Sequence, residues 1–96
     1  MTSTYRKVTL NEAEGVAVTA FTFITADEDR LSRFLALSGL SVDSIRSAAS
    51  QPGFLAAVLD YVASDEPLLI DLAKEMNTKP ERIMEARWTL SPSEFE

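Results

Sequence analysis

The chain has 96 residues, 46 % of them hydrophobic, and it contains neither cysteine nor histidine. This length fits a single domain, and the two missing residue types exclude disulfides, thiolate or imidazole metal sites, and nucleophiles that depend on Cys or His. Fifteen acidic residues against nine basic ones give a net charge of −6, which disfavours non-specific binding to nucleic acid or anionic lipid.

The first part of the sequence does not indicate secretion or membrane insertion. Residues 1–7 lead directly into a helix-like segment, without a separate apolar region and a cleavage site of small residues. The longest uncharged apolar stretch, residues 15–26, is about half of the roughly 20 residues that span a bilayer. We therefore expect a cytoplasmic protein without a membrane span.

Apolar periodicity predicts six helices, and no segment alternates with the two-residue period of a strand. The helices are expected at about residues 10–24, 26–38, 42–49, 52–63, 65–76 and 79–89. Residues 1–8 are predicted to form a flexible N-terminal arm, residues 9–90 a single helical domain, and residues 91–96 a flexible tail. The fold class is therefore all-α, a compact bundle of about six short helices whose core comes from the first, second, fourth and fifth.

Capping residues support these boundaries. A Thr followed three residues later by Glu, the capping-box pattern, precedes three of the helices: Thr9 with Glu12, Thr25 with Glu28, and Thr78 with Glu81. Ser41 is a good N-cap for the third helix, and Pro52 suits the first turn of the fourth. Gly39 and Asn77 tolerate the left-handed conformation that commonly ends a helix.

The last two predicted helices match the spacing of a DNA-binding helix-turn-helix, with Ala73 in the first helix, Asn77 in the turn and Ile83 in the second. Residues 71–88 hold four acids and four bases, so their net charge is zero where a DNA reader would be basic. Two interpretations stay open, a structural hairpin and a nucleic-acid site. The candidate nucleic-acid contacts are Lys79, Arg82 and Arg87.

The first predicted helix is apolar on all sides except for a stripe of threonines, so most of its surface should be buried. Either the other helices surround it, or one side packs against a second chain, and the sequence leaves both alternatives open. Trp and Met, one turn apart in the last helix, are residue types enriched in interfaces. The candidate interface residues are Val16, Phe21, Phe23, Met84 and Trp88.

Acidic clusters at residues 27–29 and 65–66 fall at helix starts, where carboxylates stabilise the helix dipole. No calcium-binding loop or Glu-x-x-His motif occurs, and the three glycines are isolated, so no phosphate loop is predicted. We therefore expect no metal, no cofactor and no catalytic activity.

Four segments carry a family resemblance: R-F-L-A-L-S-G-L-S (33–41), P-G-F-L-A-A-V-L-D-Y (52–61), S-D-E-P-L-L (64–69) and A-K-E-M-N-T-K-P-E-R-I (73–83). Over about residues 31–87 the chain resembles a family of short, uncharacterised alphaproteobacterial proteins classified as a domain of unknown function. The resemblance implies a compact helical bundle in a bacterial cytoplasm, with no established activity and no catalytic residues to carry over.

The leading functional hypothesis is a non-catalytic protein–protein interaction module that can self-associate as a homodimer. It follows from the uncharged first helix and from the lack of a reactive group. The alternative is a helix-turn-helix nucleic-acid-binding regulatory protein that uses the helices at about 65–76 and 79–89.

Overall fold

Every regular element in residues 8–51 and 53–91, the part of the chain that this computed structural model describes, is an α-helix. The helices are α1 (Leu10–Thr25), α2 (Glu28–Ser38), α3 (Val42–Ala49), α4 (Phe54–Ala63), α5 (Glu66–Glu75) and α6 (Pro80–Leu90). The predicted all-α class is confirmed. Residues 1–7 of the predicted arm and residues 92–96 of the predicted tail lie outside the described residues, as does Pro52.

The start of α1 follows the predicted capping box. The Glu12 N–H donates to Thr9 Oγ1 at 3.1 Å, and the Thr9 N–H donates to Glu12 Oε1 at 2.9 Å. At α2 the prediction is wrong, because Asp27 and not Thr25 is the N-cap. A carboxylate accepts stronger hydrogen bonds from a helix N-terminus than a hydroxyl does, and the Thr25 hydroxyl donates to the Thr22 carbonyl instead.

The turn between α5 and α6 is a Schellman motif around Asn77, which has the predicted left-handed conformation at φ 54°. The Thr78 N–H donates to the Ala73 carbonyl at 2.9 Å, and the Asn77 N–H donates to the Lys74 carbonyl at 3.1 Å. Thr78 is thereby part of the turn, so Lys79 becomes the N-cap and no side chain caps α6. The predicted capping box at this helix is therefore wrong.

Two other turns also use left-handed residues. Gly39 ends α2 at φ 77°, as predicted, and Ser41 then caps α3 through a reciprocal pair of hydrogen bonds with Ser44. Gly53 has a φ of 89° and directly precedes α4, which begins at Phe54 and not at the predicted residue 52. Both turns need φ above zero, which glycine adopts without the steric cost of a Cβ atom.

The core lies between α1, α4, α5 and α6, with α1 packed against α2, α4 and α6. Ile83 and Ala86 of α6 are buried, whereas Phe34 is the single buried residue in α2. The predicted contribution of α2 to the core is confirmed through Phe34, but the core also includes α6, which was not predicted. The physical reason is position: α6 packs across both α1 and α4, while α2 packs mainly against α1.

The helical domain begins one residue earlier than predicted. Val8, which was expected in the flexible arm, is buried in the core. Its carbonyl accepts a hydrogen bond from Thr89 Oγ1 at 3.1 Å, which joins the start of α1 to the end of α6.

We expect truncation of the core leucines to be costly. Leu59→Ala or Leu72→Ala should lower the free energy of unfolding by about 2–5 kcal/mol, because each fully buried side chain leaves a cavity behind. Leu10→Ala is the matched control, since its side chain is 58 % exposed and its truncation should change stability by about 0.5 kcal/mol or less. Urea unfolding measures both, and a cost below about 1 kcal/mol at Leu59 and Leu72 would contradict the core assignment.

Candidate functional site

An open apolar groove of about 520 Å³ lies between α2, α3 and α4, and we call it the α2–α4 groove. Its lining residues are Phe34, Leu37, Ser38, Leu40, Ala48, Gln51, Gly53, Phe54, Ala57 and Tyr61. None of these ten side chains is charged. The groove is therefore suited to apolar groups and offers no acid, base or metal ligand of its own.

Three aromatic lining residues, Phe34, Phe54 and Tyr61, form the floor of the groove, and Phe21 packs against two of them. The ring of Phe21, from α1, meets Phe54 edge to face at 5.1 Å between centroids and Phe34 at 6.2 Å. Phe34 in turn meets Tyr61 edge to face at 4.9 Å. Edge-to-face pairs stabilise the fold beyond the area they bury, so the floor is held in a fixed shape.

The rim of the groove is apolar and exposed. Leu37, near the end of α2, is one of the lining residues and is 66 % exposed. Single exposed apolar residues are common on protein surfaces and need no explanation. Leu37 differs because it lines an apolar groove, so a partner that enters the groove would cover its side chain.

The wall that α3 supplies is weakly attached. None of the eight residues of α3 is buried, and Ile45 and Ala48 are its partly buried contacts with the core. The hydrogen bonds of Ser41, Ser44, Ser47 and Ser50 are all local to α3 and its caps. This side of the groove is therefore held by a small apolar contact with α4.

Tyr61 also lines a second cavity of about 240 Å³ with charged residues, which we call the polar end. Its lining residues are Arg30, Arg33, Tyr61, Asp65, Pro67, Leu68 and Asp71. Arg33 Nε lies 3.3 Å from Asp65 Oδ2, and Asp65 Oδ1 accepts the Leu68 N–H at 3.2 Å as the N-cap of α5. Both oxygens of Asp65 are thus engaged within the fold.

Arg30 is held at the edge of the polar end by two contacts. Its guanidinium lies over the Phe23 ring at 4.0 Å from the centroid, a cation–π arrangement. Arg30 Nη1 also lies 3.8 Å from Asp27 Oδ2. Because the ring fixes one face of the guanidinium, this positive charge has a defined position.

Burial raises the pKa of the Tyr61 phenol above its ordinary value of 10.0, and the negative charge of Asp65 raises it further. Arg33 acts in the opposite direction, through its charge and a side-chain hydrogen bond. Tyr61 is therefore a neutral phenol at physiological pH and can donate a hydrogen bond at the junction of the groove and the polar end.

Most of the predicted interface residues are engaged inside the fold. Val16 is 9 % exposed and belongs to the core, Phe21 lies in the aromatic cluster, and Phe23 lies beneath Arg30. Met84 is half-buried, and Trp88 is 46 % exposed. The helix α1 packs against α2, α4 and α6, while its residues Leu10 and Val18 are 58 % and 53 % exposed.

Two of the three predicted nucleic-acid contacts form ion pairs within the fold. Arg87 Nε lies 2.7 Å from Asp60 Oδ1, and Arg82 Nη2 lies 3.8 Å from Glu12 Oε1. Lys79 is exposed at the start of α6. The structure does not gather the three into one basic surface, because Arg82 pairs with α1 and Arg87 pairs with α4.

Sequence reasoning missed the groove, although one signal for it exists. Leu37 departs from the stripe that Leu31, Phe34 and Leu35 form on the second helix, so α2 has more apolar positions than one buried face needs.

Among the residues that the structure describes, no group of three or more acids forms a cluster able to hold a metal ion. No helix in the described ranges is long and apolar enough to cross a membrane.

The raised pKa of Tyr61 gives a prediction for stability at alkaline pH. Because the folded-state pKa lies above the unfolded value of 10.0, its contribution is fully present below that pH and is lost as the pH rises through the folded-state pKa. The free energy of unfolding should therefore fall less steeply above pH 10 in Tyr61→Phe than in the wild type. Urea unfolding at a series of pH values measures this, and equal slopes in the two proteins would contradict it.

We also expect little attraction between α6 and DNA, because its exposed face carries Glu81 beside Trp88 while Arg82 and Arg87 are paired. Titration of a labelled duplex at about 50 mM salt should give a flat fluorescence anisotropy up to about 100 µM protein. Salt-sensitive binding that disappears in Arg82→Ala would support the helix-turn-helix hypothesis instead.

The comparison with protein families agrees with the resemblance in the sequence and extends it. The family model described as "Protein of unknown function (DUF3572)" matches residues 10–93, a range that includes all six helices and the groove between α2 and α4. No curated protein matches the chain, and no solved structure does. The chain belongs to the DUF3572 family.

Proposed function

We propose that this protein is a non-catalytic protein–protein interaction module whose binding site is the α2–α4 groove. The observation that carries the proposal is the exposed Leu37 at the rim of an uncharged groove with an aromatic floor. Contiguous exposed apolar surface of this kind marks interaction sites on soluble proteins. A partner in the groove would remove from water the side chain of Leu37, which is 66 % exposed.

The shape of the groove favours a segment of protein over a small molecule. Sites for small molecules bury most of the ligand surface, and a groove that is open along its rim buries only one side of its occupant. An amphipathic helix needs burial on one side only, and it places apolar anchors at positions i, i+3 or i+4, and i+7 into such a groove. The volume of about 520 Å³ gives room for a few anchor side chains.

Three carboxylates on or next to α2, α4 and α5 have structural roles, which supports a binding role and not a catalytic one. Asp27 and Asp65 cap helices, and Asp60 is paired with Arg87. Without Cys or His in the chain, the groove has no nucleophile and general base in contact.

The homodimer is one form of the same proposal, with a second copy of this chain as the partner in the groove. The bacterial, cytoplasmic setting that the family resemblance implies belongs to the proposal as well.

The chain contains no cysteine, so one introduced Cys can carry a photo-crosslinker at a single defined position. We expect the groove position Ala57→Cys to give a discrete adduct in a lysate of the cells that make the protein. Two exposed positions are matched controls, Thr22→Cys on α1 and Glu81→Cys on α6 beside Trp88, and these should give none. An adduct of twice the 10.6 kDa chain mass would identify a second copy as the partner.

The groove-specific adduct should disappear when Leu37→Glu is added, since a charge at the rim opposes burial of an apolar partner. Leu37 is mostly exposed, so this change should leave the fold intact, and circular dichroism checks that it does. Adducts that form from Glu81→Cys or Thr22→Cys, but not from Ala57→Cys, would show that the interface lies on α6 or α1. That result would contradict the groove as the binding site.

A further inference from the structure

We infer that the segment bound in the α2–α4 groove carries one acidic residue, about a helical turn beyond its apolar anchors, that pairs with Arg33 at the polar end. This inference rests on the proposed function and names the chemistry of the partner. It combines two observations: the groove and the polar end share Tyr61, and the cations of the polar end lie on the α2 side.

Arg33 and Leu37 are four residues apart on α2, so they lie on the same face of the helix about one turn from each other. Their side chains are 65 % and 66 % exposed respectively. A partner helix that covers Leu37 and continues along α2 reaches Arg33 with a residue about 5.4 Å further along its own axis. On α2, the exposed charge one turn from Leu37 is therefore positive.

Arg33 is oriented for this contact by the fold. Its Nε lies 3.3 Å from Asp65 Oδ2, and this contact holds one side of the guanidinium. A guanidinium has five N–H donors in a rigid fork, so donors remain on the terminal nitrogens for an incoming carboxylate. Asp65 does not compete as an acceptor for a partner's cation, because one oxygen faces Arg33 and the other caps α5.

Arg30 strengthens the positive side of the polar end. It precedes Arg33 by three residues on the same helix, and the Phe23 ring holds its guanidinium at 4.0 Å. Two arginines from one helix thus line the cavity on the side that a partner lying along α2 would face. A planar guanidinium can also bind a carboxylate through two parallel N–H···O hydrogen bonds, which favours an acidic residue as its partner.

The number of acids on the partner is limited by negative charge on the protein. Asp71 of α5 lines the opposite side of the polar end, and it makes no hydrogen bond or ion pair with the described residues. The net charge of −6 also repels a strongly acidic partner at long range. The occupant that fits is therefore an apolar helix with a single carboxylate near one end and not an acidic tract.

A random 16-residue peptide library displayed on phage tests the inference, because it samples the chemistry of the partner without requiring its identity. Selection on the wild type, with removal of phage that also bind Leu37→Glu, should enrich apolar residues at helical spacing followed by one Asp or Glu. Anisotropy with a synthetic copy of the consensus should show weaker binding to Arg33→Gln, by roughly three- to tenfold. Asp71→Asn should bind it more tightly than the wild type, because a like charge has been removed.

Lys79→Gln is the matched control, since it removes one positive charge outside both cavities and should leave the affinity unchanged within about twofold. Replacement of the peptide's acid by Gln should make its binding to wild type and Arg33→Gln equal. Circular dichroism confirms that each variant is folded.

The failures of the two proposals are distinguishable. If the selected peptides need Leu37 but bind Arg33→Gln as well as the wild type, the inference is overturned and the groove remains the binding site. A consensus with Lys or Arg, and weaker binding to Asp71→Asn, overturns the inference in favour of a basic partner. If no peptide depends on Leu37, the groove itself fails as a binding site and both proposals are lost.

Discussion

Close packing against the small residues of α1 is the constraint on which the rest of the structure depends. Ala13, Ala17 and Ala20 are completely buried, and their short side chains allow α4 and α6 to approach the α1 backbone closely. A chain of this size forms one modest core, so the helices that pack most closely against α1 are the ones that contribute most of the buried residues. α6 gains a central position, and α2 and α3 are left at the periphery.

That arrangement explains why the groove lies between α2, α3 and α4. Phe21, on α1, reaches out of the core to meet Phe34 and Phe54, so the floor of the groove is anchored to the rigid centre of the bundle. The wall that α3 forms has no such anchor. The floor of the groove is therefore held more firmly than its α3 wall.

The features that could be predicted from the sequence are those that depend on neighbouring residues. The Thr9 capping box, the Ser41 cap and the left-handed Gly39 and Asn77 each need only a few residues of local sequence, and all four are confirmed. Thr25 and Asp27 are both possible N-caps for α2, and the stronger hydrogen-bond acceptor, the Asp27 carboxylate, occupies the N-cap position. The large contribution of α6 to the core was not predictable in this way, because α2 and α6 both have an apolar stripe and only tertiary packing decides how much of each is buried. The groove was not predictable either, because its lining comes from three helices whose contributions follow no common period.

The hydrogen bond between Thr89 and Val8 joins residues 81 positions apart, which has a consequence for how the bundle forms. Loop-closure entropy grows with the length of the chain between two contacting residues, so the contact of α1 with α6 is entropically the most expensive in the domain to establish early. Local hairpins, above all α5 with α6 across the Schellman turn, have far shorter loops to close. The same bond brings the two ends of the helical domain together, so a circular permutant that joins them and opens the chain at a peripheral turn would keep every core helix uninterrupted.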